Sequence, residues 1–136
     1  MQPENIKNRA YKFSLEVVKL SDNFSRSKLS TIIILKQLIR AATSIAANLI
    51  EAKATSSKKD FINFNYHSLK SANETIYWLD LLADSQPSCK KEILKLITQK
   101  AGGSFRDAQK ILEQIILETE GRVVKTEAVK KIIGHG

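Results

Sequence analysis

The sequence predicts an all-α fold, an antiparallel up-down-up-down four-helix bundle that assembles into a homo-oligomer. Three observations carry this expectation. Apolar residues recur at intervals of three and four along the chain, and no segment alternates with period two over a strand length. Five Gly and two Pro in 136 residues are too few for a turn-rich β fold. One predicted helix carries two apolar faces, so it must be covered on more than one side.

The first helix is predicted to begin near Pro3, a favoured first helical position. Ile6, Ala10, Phe13, Val17 and Leu20 make its apolar face, and "SDNFS" ends it with cap-type residues. The second helix is predicted from just after Ser25 to about Ala54. Leu35, Leu38, Ala42, Ile45, Leu49 and Ala52 form its main stripe. Ile32, Ile39, Thr43, Ala46 and Ile50 form a second stripe, about 100° round the helix. In a small bundle the second stripe meets another subunit or stays exposed as an apolar patch.

Ser57 is predicted to cap the third helix, with Asp60 in the capping-box position. Its core face is Phe61, Phe64, Ser68, Ala72, Thr75, Leu79 and Leu82. The small residues at 68 and 72 admit a close neighbour. "DSQPSC" ends it, because Pro87 does not continue a helix. In the last helix Ile93, Ile97, Ala101, Phe105, Ala108, Ile111, Leu112 and Ile115 hold one phase across Gly102-Gly103. The unbroken phase favours one helix bent at the glycines over two helices, the second capped by Ser104. Gly121 closes the bundle domain, residues 1–121. The tail, residues 122–136, carries Arg122, Lys125, Lys130 and Lys131 against Glu127, and is read as a basic arm or a short amphipathic helix.

Charge and cysteine content narrow the function. The net charge is +8 and the pI about 9.6, which favours polyanions or acidic partners. The single cysteine, Cys89, permits no internal disulfide and points to the cytoplasm. The polar N-terminus does not read as a signal peptide, and "TIIILKQLI" is interrupted by Lys36 and Gln37 too early for a membrane span.

One polar line runs down the second helix: Gln37, Arg40, Ser44, Asn48 and Glu51. Their spacings of three and four stack them on one face. Arg40 and Glu51 are about 16 Å apart along the axis and do not pair within one helix. Each needs a partner elsewhere, and Glu74 on the third helix is the candidate acceptor for Arg40. The line is read as an inter-helix or inter-subunit network in preference to a ligand site. On that reading, removing Arg40 or Glu51 breaks assembly.

The residues of this line also carry a resemblance. "QLIRAATSIAANLIEA" (37–52) resembles the signature of the four helix bundle proteins also called 23S rRNA intervening sequence proteins, Gln-Leu-x-Arg-Ala-Ala-x-Ser-Ile-Pro-Ala-Asn-Ile-x-Glu-Gly. Gln37, Leu38, Arg40, Ala41, Ala42, Ser44, Ile45, Ala47, Asn48 and Glu51 stand in their expected places. In "SSKKDFINFNYHSLKSANETIYWL", the residues Ser57, Asp60, Phe61, Ser71 and Glu74 match its continuation. Ala46 replaces the usual Pro, so the helix should be straighter. Ala52 replaces the usual Gly, so the stop after Glu51 should be softer. The resemblance covers about residues 4–84. It implies a small cytoplasmic homopentamer without catalytic activity. Some relatives are encoded inside inserts in 23S rRNA genes. Others are accessory proteins of reverse transcriptases in diversity-generating retroelements, and look like basic, RNA-associated pentamers.

No enzyme pattern competes. The Glu-x-x-His pairs of di-iron bundles are absent, and Phe64 stands three residues before His67. Cys89 has no companion His. Glu51-Ala-Lys53 echoes a nuclease Glu-x-Lys without the strands that such sites use. "AGGSF" lacks the Lys of a phosphate loop. No cofactor or metal is expected. Tyr66, Tyr77 and Trp78 are read as interface or rim residues, because no basic residues interleave closely with them. The candidate phosphate contacts are Lys53, Lys58 and Lys59 around the second turn, Lys90, Lys91 and Lys95 (with Lys100) on the fourth segment, and Lys130 and Lys131 in the tail. The same lysines also suit a plain solvated face. Two partner readings stay open: RNA, or an acidic protein or reverse transcriptase docked on a scaffold.

Overall fold

The computed structural model describes residues 5–98 and 109–120. Among them every regular element is helical: α1 (Asn5–Asp22), α2 (Leu29–Ala54), α3 (Lys58–Ser85), a single 3-10 turn (Pro87–Cys89) and α4 (Lys90–Thr98), with helix again at 109–120. The predicted last helix, with its glycine pair, and the basic tail lie outside the described residues in the parts that would decide their form.

α2 is the centre of the molecule. It packs most extensively on α3 and next on α1, while α4 packs on α3 and touches α1. All six residues of its main stripe are buried, and so are all five of the apolar face of α1. Leu38, Leu79, Leu82, Phe13 and Val17 are wholly enclosed and form one continuous core. Close approach comes from small residues. The Ser68 hydroxyl of α3 donates to the Ile45 carbonyl at 2.9 Å, and the Ser14 hydroxyl of α1 donates to the Ala42 carbonyl at 3.2 Å. Side chains on both flanks of α2 thus reach its backbone across contacts that a larger residue would hold apart.

The ends follow their chemistry. The Ser57 hydroxyl accepts the Asp60 amide at 3.0 Å and caps α3. α2 runs unbroken through Ala46 and past Ala52 to Ala54, where the Thr55 amide and hydroxyl both donate to the Ala52 carbonyl. Without the glycine, the stop comes from a β-branched residue turning out of the helix.

Three expectations need correction. α2 begins at Leu29, not just after Ser25, because the Ser25 hydroxyl is turned to Ser27 and Lys28 stands at the cap without a side-chain bond. Phe61 and Phe64 are half-buried, since they lie in the first turns of α3, near the end of the core. Asn65 takes a buried place there instead, and donates to the Phe61 carbonyl at 2.8 Å. Finally, α2 is long and apolar enough to cross a membrane by length and composition, the one such helix among the described residues. The interrupted stretch at its start hid this. Its main stripe is nevertheless buried against its neighbours, and a core helix passes the same test.

Candidate functional site: a polar seam between α2 and α3

Polar residues descend α2 and meet a matching set ascending α3. The Arg40 guanidinium pairs with the Glu74 carboxylate. Arg40 Nε also donates to Gln37 Oε1 at 2.9 Å. Glu74 Oε2 accepts a second donor, the Trp78 indole N–H, at 2.9 Å. One turn further along, Ser71 Oγ donates to Ser44 Oγ at 2.9 Å. The Asn48 amide donates to the Ser44 carbonyl at 2.8 Å and to its hydroxyl at 2.9 Å. Helix geometry explains the order: residues three or four apart on each helix rise one turn, so antiparallel neighbours meet pair by pair.

The network joins helices of one chain, and it lies at the rim. The side chains of Arg40 and Glu74 are 55% and 36% exposed, so the pair is worth about 0.2–1 kcal/mol. It orients the Arg40 and Trp78 side chains more than it stabilises the fold. Glu74, the acceptor expected for Arg40 on the third helix, takes it, so this part of the line joins helices within one chain. Glu51 is exposed on the last turns of α2 and has no bonding partner among the described residues.

Beside the network lies a shallow cleft of about 500 Å³, lined by Ser44 and Asn48 from α2 and by His67, Lys70, Ser71, Asn73 and Glu74 from α3. His67, Lys70 and Asn73 were missed as site residues. The signal was present: positions 67, 70, 71, 74 and 78 recur at three and four, the same kind of polar line as on α2. His67 is set by an edge contact with Phe64, ring centroids 6.5 Å apart. Among the described residues no three His, Cys, Asp or Glu side chains gather as metal ligands. Cys89 is half-buried in the turn before α4, its thiol 3.8 Å from the Ser88 hydroxyl.

The candidate lysines do not form one patch. Lys53, Lys58 and Lys59 are exposed together where α2 ends and α3 begins. Lys90, Lys91 and Lys95 are exposed near the other end of α3, about 40 Å away by helix rise. Lys90 approaches Asp84 at 3.9 Å, a weak surface contact. Lys100, Lys130 and Lys131 lie outside the described residues.

A third surface is apolar. On α2, Ile50 is exposed and Ile32 and Ile39 half-buried. On α1, Tyr11, Leu15 and Val18 are exposed, and by helical phase they lie on the outer flank of Ser14, the residue that touches α2. Within one chain the second stripe of α2 is covered only at Ala46.

Comparison with known proteins places this architecture. A search of curated proteins finds no match. A solved structure from Bacteroides thetaiotaomicron, described as a protein with unknown function from the S23 ribosomal protein family, is 31% identical. The match covers 82% of this chain and 97% of that one, with a TM-score of 0.68. The family described as 23S rRNA-intervening sequence protein matches residues 4–103, beyond the stretch that carries the sequence resemblance and into the segment after α3. With most of its length matched, including the whole polar line, the chain belongs to the 23S rRNA-intervening sequence protein family.

Proposed function

We propose that this protein is a non-enzymatic, RNA-associated accessory protein of the cytoplasm, whose up-down-up-down four-helix protomers assemble into a homo-oligomer, five copies by the family resemblance. The observation that carries the RNA reading is the pair of exposed lysine groups at opposite ends of α3, on a chain of net charge +8 in a family described by its link to 23S rRNA. Such ends attract phosphate, and so read shape more than sequence. Repetition round a ring of subunits would multiply each group. The exposed apolar flank of α1 and α2 supports assembly, since monomers seldom leave such a surface bare.

The same basic surface favours a second reading, a scaffold that docks an acidic protein or a reverse transcriptase and has little affinity for free RNA. Light scattering on the purified protein, alone and with a structured RNA, separates the two. An oligomer several times 15.3 kDa that takes up RNA at low salt and releases it at moderate salt supports the first. An oligomer that ignores RNA at every salt overturns it in favour of the scaffold.

A further inference from the structure

The RNA reading gives the lysines at the two ends of α3 a role and leaves the face between them unused. Going round α3 at 100° per residue, Lys59, Asn63, Tyr66, Lys70, Asn73 and Tyr77 fall within one sector. All six are exposed, and Tyr66 and Tyr77 are 48% and 57% accessible as residues. Lys70 therefore lies between the two tyrosines on the surface, although no lysine adjoins either in sequence. The expectation that no basic residue interleaves with the aromatics is corrected by the helix itself.

From these placements we infer that this face of α3 is a stacking platform for unpaired nucleotides of a single-stranded RNA. Tyr66 and Tyr77 would stack on bases, and Lys59 and Lys70 would meet phosphates. The inference rests on the RNA-associated reading above and assigns the part of that RNA which it takes. Four features support it. The two rings are about 16 Å apart along the axis, room for a few nucleotides with a lysine between. Tyr77 is held in an edge contact with Trp78, centroids 4.9 Å apart, so its ring is positioned before any ligand arrives. Glu74, one turn along α3 from Lys70, already accepts bonds from Arg40 and Trp78, so its charge is answered from the α2 side. The cleft beside Lys70 presents the Ser44 hydroxyl, whose own proton the seam leaves unused, and the Asn48 amide oxygen, groups that suit phosphate oxygens and ribose hydroxyls respectively. Beyond Tyr77 the same sector turns acidic at Asp80 and Asp84, which marks where the path ends.

The test measures anisotropy of a short labelled single-stranded oligo(A), and of the same strand in a blunt duplex, with the full-length protein at low salt. Emission of Trp78, the single tryptophan, is followed in parallel. Expected are tighter binding of the single strand, quenching of Trp78, and a loss of about fivefold or more for each of Tyr66→Ala and Tyr77→Ala. Tyr66→Phe and Tyr77→Phe should retain the affinity, because a phenyl ring still stacks. Alanine variants that bind the single strand like the parent overturn the inference and leave RNA association standing. Variants that change the assembled mass overturn it too, because the face is then a subunit contact. A parent protein that binds neither strand removes the RNA reading itself and this inference with it.

Discussion

The two flanks of α2 are built by one helix and present opposite chemistry. Towards α1 its outer edge offers Ile32, Ile39 and Ile50, with Tyr11, Leu15 and Val18 beside them. Towards α3 it offers Gln37, Arg40, Ser44 and Asn48, each with a hydrogen bond in the seam. Under both flanks the inner stripe is equally buried. The difference shows that the helix spends its inner face on the fold and divides its outer face between two tasks. An unfinished apolar surface asks for another protein. A polar rim with its bonds already made within the chain asks for little and leaves its remaining donors turned to solvent.

The comparison breaks most visibly at the apolar flank. Leu15→Glu with Ile50→Glu puts two charges where the chain is already exposed, so the helices should still form. The proposed oligomer should fall to the 15.3 kDa protomer in light scattering. An unchanged mass would move the subunit contact to another face. On the seam side the largest effect is expected below the rim. Ser68→Leu inserts bulk where α3 reaches the α2 backbone, and should cost about 1–3 kcal/mol in denaturant unfolding. At the end shared by both helices, Lys58→Glu with Lys59→Glu should leave mass and unfolding unchanged. It should weaken RNA binding roughly tenfold and lower the slope of log affinity against log salt by about two. The smallest effect belongs to the rim. A double-mutant cycle of Arg40→Ala and Glu74→Ala should give a coupling of about 0.2–1 kcal/mol and no loss of assembly. A larger coupling, or dissociation, would mean that the pair becomes buried between subunits.

Much of this was legible in the residues. Spacing alone identified the buried faces of α1 and α2, because few other patterns satisfy a helix with one covered side. Ser57 announced the start of α3, since a hydroxyl followed three residues later by an acid has a local use there. Arg40 and Glu74 were paired as candidates by charge and phase. What spacing did not carry was depth. It does not tell a rim position from an enclosed one, so Phe61 and Phe64 read as core and Asn65 did not. It also does not carry distance across the fold, so lysines that look like one inventory in the chain stand at two ends of a long helix. Adjacency in sequence hid the neighbourhood of Tyr66, Lys70 and Tyr77, which exists only on the helical surface. The start of α2 was misplaced because two serines in the turn bond to each other, a choice that composition does not record.

The hydroxyls of Ser14 and Ser68 reach α2 carbonyls three residues apart, from opposite sides. A helix clasped in this way is pinned in register. Sliding by one turn would carry both acceptors about 5.4 Å from their donors at once. The three long helices should therefore tilt together as a strut and not shear past one another. A load taken up at Lys58 would arrive at Lys90 as a swing of the far end, so a partner gripping one tip of the molecule can steer what the other tip holds without any change in the packing between.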